Sequence, residues 1–374
     1  MARVCHLTVL NPALHSRIYF KEALSQAAAG YEVSVIGQDV AAEPYVRDGV
    51  RIVPTGVFGR MGRRRVFAKQ YLLPLAEAER ADVYQIHSPE LLRVGRELKL
   101  ARPEVKVIYD VHEDYAANVR AGSHFPEWSK KPLLSWLRRE ERAFGRWGDG
   151  LVYAEECYAG LLDFDAAYTA VVQNKFKAPA APSDHSPATN RPYLLYTGTI
   201  AEAWGIFRTL DLWEALNQVR PMDLVVAGHT HNAALVEELQ LVAEGCDVRG
   251  RMHILGGKEY LPYEYIVELI RGCWAGTALY TVAPHIAQKH PTKFFEFMAC
   301  GKPLFFSANP HWENLNQNHA FGMPIGGEPE PDQLRKMVER IDQGEFGEGK
   351  IPEEVWAWKT EEQALLELLE KVLG

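Results

Sequence analysis

What most limits the fold of this chain is an alternation. Short apolar, β-branched runs are separated by helix-length segments, in two successive series with a break between them. The first series has strand-like runs at Val4–Leu10, Glu32–Ile36, Val50–Val53, Val83–Ile86, Val105–Tyr109 and Gly150–Tyr153, with a helix over Phe20–Ala29 closed by Gly30. The second has strands at Tyr193–Tyr196, Leu224–Ala227, His253–Leu255, Thr277–Thr281 and Pro303–Phe306. Helices lie between them near Ile206–Asn217, Ala233–Glu244, Tyr263–Arg271 and Thr292–Cys300. Strands bridged by helices are βαβ units, and βαβ units build mostly parallel sheets. Between the series, residues 177–190 hold three prolines and no periodic apolar pattern, the mark of a linker. The expectation is an α/β chain with domains at 1–176 and 191–350, a linker at 177–190 and a final segment at 351–374. Pro352–Leu373 reads as one amphipathic helix, with Leu365, Leu369 and Val372 on a face that needs an apolar partner.

Composition narrows the function classes. The 374 residues suit two domains, and 47% hydrophobic with 24% charged residues is ordinary for globular chains. No run approaches the ~18 apolar residues of a membrane span. The apolar run before Asn11 is too short for a signal peptide, so a cytoplasmic protein is expected. Five scattered cysteines without a CxxC pair argue for reduced thiols rather than disulfides or structural zinc. The net charge of −8 divides into +5 for residues 1–150 and −13 for the rest, so the first half is the one suited to an anionic partner. A pI of 5.9 argues against nucleic-acid binding by the whole chain.

Several local motifs carry little. Gly344–Ile351 has the glycines and lysine of a phosphate loop but lacks its Ser/Thr and follows a helix; no GxGxxG occurs. Asp163 and Asp165 form a DxD pair, and His229 and His231 follow a strand, yet neither pair brings a third ligand, so no metal is expected. Gly59–Arg65 packs Arg60, Arg63, Arg64 and Arg65 into seven residues. It suits either anionic head groups of a membrane surface or a solvated loop.

Pro291–Pro303 carries the chemistry. A helix starting at Thr292 and ending at Gly301 presents unpaired N–H groups beside Lys293, an anion site, while Glu296 lies one turn in and can accept hydroxyl hydrogen bonds. An anion joined to hydroxyls describes a nucleotide ribose or a sugar phosphate.

The pattern P-x-K-x-x-E-x-x-A-x-G-K-P resembles the donor-site signature of the retaining family-four ("group 1") glycosyltransferases of GT-B fold. Other stretches are similar in the family's order: His15–Ile18, Asp82–Leu91, Val107–Glu113, Tyr193–Gly198, Arg251–Gly256, and Trp356 and Trp358 with the final helix. The resemblance implies two Rossmann-like parallel-sheet domains facing each other across a cleft, with the last helix crossing back to the first. It implies transfer of a sugar from a nucleoside-diphosphate sugar to a hydroxyl acceptor, with retention and without a metal or other cofactor. A cell-envelope polysaccharide or glycolipid is the acceptor it suggests, and peripheral attachment at the inner membrane face would go with the arginine loop. By the same resemblance His112, Gln288, Lys293 and Glu296 form the catalytic set. Gly198, Thr199, His253, Ile254, Leu255, Lys258, Pro291, Thr292, Lys293 and Glu296 would hold the donor. Taken alone, His112 is better explained as a strand-end histidine satisfied by Asp110 or by backbone.

Three positions depart from the family pattern. Gln288 stands where a glutamate contacts the transferred sugar, and Thr199 and Trp204 replace two cations that neutralise the donor diphosphate. Lys258, Lys289 and Lys293 are the available substitutes. The departures also motivate a catalytically silent, sugar-binding homologue as the alternative, with a nucleotide-sugar epimerase behind it.

Overall fold

The computed structural model describes residues 1–56, 68–121, 125–230, 232–245 and 250–374. They form two compact units, Met1–Lys177 with Trp358–Gly374, and Ala178–Ala357.

The first unit holds strands β1 (Arg3–Pro12), β2 (Glu32–Gln38), β3 (Tyr45–Arg47), β4 (Val50–Pro54), β5 (Val83–Ile86), β6 (Lys106–Val111), β7 (Gly150–Tyr153) and β8 (Tyr168–Val171). Their order across the sheet is β3-β4-β2-β1-β5-β6-β7-β8, with only the β3–β4 pair antiparallel. The connection reverses direction between β1 and β5. Every residue of β5 and β7 is buried, as expected of strands covered on both faces. The edge strands β3 and β8 are largely exposed and carry no apolar run, which is why sequence patterning missed them.

The second unit holds β9 (Tyr193–Thr199), β10 (Asp223–His229), β11 (Met252–Gly257), β12 (Ala275–Ala278), β13 (Leu304–Ser307) and β14 (Gly322–Ile325). All are parallel in the order β11-β10-β9-β12-β13-β14. This doubly wound order has its switch point between β9 and β12, where such sheets bind ligands at their carboxyl ends. The strand β14 also escaped sequence patterning, because Gly322 and Pro324 interrupt it.

Three expected segments are corrected. The first helix starts early: Ser16–Ala23 is wound as a π-helix, begun by His15, whose Nδ1 accepts the Arg17 N–H, and an α-helix continues over Leu24–Ala28. The proline-rich stretch does not hang as a free linker. Ser186 accepts the Tyr265 hydroxyl (3.1 Å), His185 stacks on Tyr265 (4.4 Å), and Thr189 donates to Asp223 (2.7 Å), all within the second unit. The long final helix is two helices, Glu353–Trp356 and Trp358–Leu373. Ala357 between them is extended (ψ 140°), because the Trp358 N–H leaves the helical ladder for the carbonyl of Phe176.

Trp358–Leu373 lays Leu365, Leu368, Leu369 and Val372 against Val4, Val83, Ile108 and Val152 of the first sheet. Each such side chain contributes about 1.5–3 kcal/mol relative to exposure. Cys5, Cys273 and Cys300 are buried free thiols, Cys157 is half-buried, and Cys246 lies outside the described residues.

Candidate active site

The second unit's switch point gathers most of the expected donor residues. Gly198 and Thr199 end β9, and Gly198 has φ +91°, which a side chain would strain. The helix Thr292–Ala299, capped by the extended Pro291, sends Lys293 over this edge. The Lys293 ammonium lies over the rings of Tyr196 (4.5 Å) and Tyr280 (5.1 Å), and its Cε would touch a side chain placed at Gly198. Burial lowers the Lys293 amine to about 7, against an opposing pull from Glu296. The two aromatic faces and the Glu296 carboxylate favour the charged form that burial opposes. One turn on, Glu296 is buried, and burial together with that carboxylate makes the nearby Tyr263 hydroxyl hold its proton more tightly.

Tyr196, Tyr280 and Tyr263 were not singled out from sequence. Tyr196 lies inside β9, Tyr280 just past β12 and Tyr263 at a helix start, positions indistinguishable in sequence from core. Trp204, standing where a cation was expected, meets the edge of Tyr280 (5.1 Å) and is 37% exposed. Arg208, four residues on, donates to the Tyr280 carbonyl and the Ser307 hydroxyl, so a cation does occupy this edge of the sheet. Gln288 is exposed in the turn before Pro291, a turn pinned by Asn309 and Trp312 through the carbonyls of Ala287 and Lys289.

The β11 expectations need correcting. His253 lies at the amino-terminal end of its strand, paired in register with Val225, and its Nε2 is spent on Asp223 (3.0 Å). Ile254 and Leu255 precede the level of the site as well. The β11 residues level with Gly198 and Thr199 through β10 are Gly256 and Gly257, with Lys258 exposed just beyond. His229, also at that level, stacks flat on Tyr260 (4.1 Å, 8°); its partner in sequence, His231, lies outside the described residues.

The first unit's switch point holds a buried polar cluster. Arg17 places its guanidinium on both oxygens of Asp110 (2.9 and 2.8 Å) and reaches the Val172 carbonyl and Asn174. His112, just past β6, contacts Asp110 at 2.7 Å, and His87, just past β5, contacts the same oxygen at 3.0 Å. His15 stacks on His112 (6.1 Å). Burial pushes the Asp110 carboxyl up, but Arg17 and the two histidines outweigh it and hold it well below the usual range. Two triads have ligand atoms close enough to share an ion: His87 with Asp110 and His112, and His6 with Glu22 and His87. Neither suits a cation, because Arg17 already occupies both oxygens of Asp110 and lies 3.0 Å from Glu22. The donors of each triad are also engaged by one another.

The motifs set aside have structural explanations. Asp163 pairs with Arg142, Asp165 accepts from Ala166 and Thr169, and Lys350 closes its own loop on the carbonyls of Gly344 and Glu345. Arg60, Arg63, Arg64 and Arg65 lie outside the described residues.

The family model for the glycosyl transferase 4-like domain matches residues 22–175. The match lies within the first unit and covers less than half of the chain. Solved structures match along the whole chain at low identity, which concerns the fold. Sucrose-phosphate synthase of Thermosynechococcus elongatus is 14% identical with a TM-score of 0.65, covering 100% of this chain and 96% of that one. Anabaena Alr3699/HepE, solved with UDP and glucose, is 15% identical at 0.65, covering 99% and 100%. The catalytic domain of starch synthase IV from Arabidopsis thaliana, solved with ADP and acarbose, is 11% identical at 0.63, covering 100% and 99%. No curated protein matches at the level of sequence. Among the described residues no helix is long and apolar enough to cross a membrane.

Proposed function

We propose that this glycosyltransferase binds a nucleoside-diphosphate sugar at the second unit's switch point and transfers the sugar, with retention, to a hydroxyl of a carbohydrate or glycolipid acceptor. The observation that carries this reading is Lys293, buried between Tyr196 and Tyr280 beside Gly198 and one turn from Glu296. In it the diphosphate meets the Lys293 ammonium and the amino-terminal end of the helix Thr292–Ala299, which stabilise the charge that develops on the leaving group. Glu296 accepts the ribose hydroxyls. Gln288 hydrogen-bonds the transferred sugar, and the leaving phosphate oxygen takes the acceptor's proton; His112 is the first unit's candidate for contacting a sugar hydroxyl. No group in this scheme requires a metal.

The Trp204 and Thr199 replacements favour the competing reading, a silent sugar-binding homologue. Thermal unfolding with UDP, GDP, ADP, TDP and their sugars, followed by transfer assays, separates the two. A ligand at 100 times its dissociation constant adds about 2.7 kcal/mol. A shift with one base, enlarged by one sugar and lost in Glu296→Ala, together with Glu296-dependent transfer, supports the enzyme. Binding without turnover supports the silent homologue, and no shift with any nucleotide refutes the donor site.

A further inference from the structure

The helix Glu127–Trp147, in the first unit between β6 and β7, has two sides of different chemistry. Leu137 and Phe144 are buried on its inner side, with Leu133 half-buried beside them. On the outer side Trp128, Lys131, Arg138, Arg139, Arg142 and Arg146 are all exposed. Helical geometry puts these six within a sector of about 100°, along roughly 27 Å of the helix.

The helix's own acids lie outside that sector and are engaged elsewhere. Glu127 pairs with Lys130 (2.6 Å), Glu140 with Arg93 (3.0 Å), and the buried Glu141 accepts the Tyr109 hydroxyl (3.2 Å). Two acids still reach the stripe: Asp163 pairs with Arg142, and Glu140 lies 3.4 Å from Arg139. Lys131, Arg138 and Arg146 have no ion-pair partner among the described residues. Folding does not account for this pattern. Arginines spaced three and four apart, as at 138, 139, 142 and 146, repel one another and weaken a helix. Trp128 is 81% exposed, and its ring has no stacking or hydrogen-bond partner among the described residues, so it adds little to any core. The apolar side of the helix is already spent on the first unit, so the helix cannot sink into lipid; it can dock only by charge and by that one ring.

We propose that this stripe docks the protein on an anionic membrane surface, with Lys131, Arg138 and Arg146 against lipid phosphates and the Trp128 ring at headgroup level. A ring beside basic side chains is the composition of an interfacial anchor. A soluble polyanion would engage the cations but offers the ring no apolar layer. The surface is separate from Gly59–Arg65. Because the helix connects two parallel strands, its Trp128 end lies toward the carboxyl edge of the first sheet, where Asp110 and His112 gather. A lipid-borne acceptor would enter from that side. This last consequence rests on the functional reading above; the docking does not.

The test is flotation of the full chain with vesicles of phosphatidylcholine, with and without about 30% phosphatidylglycerol. Binding should require the anionic lipid and fall steeply between about 0.1 and 0.5 M salt, as screening shortens to about 4 Å. The triple variant Lys131→Gln, Arg138→Gln, Arg146→Gln should bind about a hundredfold more weakly, at roughly fivefold per cation, with thermal unfolding unchanged. Trp128→Phe identifies the emission of that ring, which lipids brominated near the headgroup should quench in the parent chain. Equal binding to both vesicles, undiminished binding by the triple variant, or Trp128 emission indifferent to brominated lipid each overturns the proposal. So does binding lost only when Arg60, Arg63, Arg64 and Arg65 are replaced by Gln, or stripe-dependent binding to dextran sulfate without binding to vesicles. Docking intact with no transfer to any acceptor would instead refute the functional reading alone.

Discussion

At Lys293 the surroundings convert a lysine into a group that titrates near neutrality. With the amine at about 7, binding of a diphosphate above that pH should be accompanied by uptake of a proton at Lys293. Nucleotide affinity should therefore weaken as pH rises above about 7, by up to roughly tenfold per unit. Calorimetry in two buffers of different ionisation heat should record proton uptake at pH 8. The sign for folding is opposite. Because the folded-state value lies below the unfolded one, the unfolded chain holds more protons above about pH 7, and this lysine favours the folded second unit increasingly as pH rises toward the ordinary lysine value. Lys293→Met keeps the aliphatic packing on the two tyrosines and removes the charge. Loss of charged hydrogen bonds worth about 1.5–3 kcal/mol should weaken nucleotide binding about ten- to a hundredfold. Tyr263→Phe removes a phenol whose titration is coupled to the Glu296 carboxylate, and titration calorimetry should show a smaller loss, about two- to tenfold. Lys293 and Glu296 were legible in the sequence because one short segment carries both, together with the proline and glycine that bound their helix. The cluster around Asp110 was not, since Arg17, Glu22, His6 and His87 reach it from separate segments that only the sheet brings together.

The elements show how closely the second site is built. A Cβ at Gly228 would lie 1.7 Å from the Gly198 carbonyl oxygen, a backbone atom that cannot swing aside. Gly228→Ala should force β9 and β10 apart where the site forms, costing ~2 kcal/mol or more. Thermal unfolding should show both the lower stability and the loss of the nucleotide-induced shift. Gly276 stands in the same relation to the Phe297 ring, 2.0 Å from an added Cβ, and so sets how closely the helix bearing Lys293 approaches β12. Central parallel strands are buried on both faces and announce themselves as apolar runs, which is why the alternation could be read along the chain. Edge strands have no such requirement. The π-helix at Ser16–Ala23 was equally invisible, because the cause of its winding is the distant set of partners held by Arg17 and Glu22.

Over the whole molecule, the first unit is closed by residues far from it in sequence. Trp358 is buried, donates from its indole to Ser25 (2.9 Å), and heads the helix that covers the first sheet. Trp358→Ala should cost about 3–5 kcal/mol in that unit. Denaturant titration followed with and without the nucleotide that binds should reveal it as a change in one transition, while the ligand raises the other. The same arrangement reverses the usual order of assembly on the ribosome. Residues 178–357 are contiguous and can complete their own core as soon as they emerge, but the first sheet waits for strands of synthesis to pass before Trp358–Leu373 arrives to cover Val4, Val83 and Ile108. For that interval the oldest part of the nascent chain is the unfinished one, and its bare apolar face is the surface a chaperone would meet.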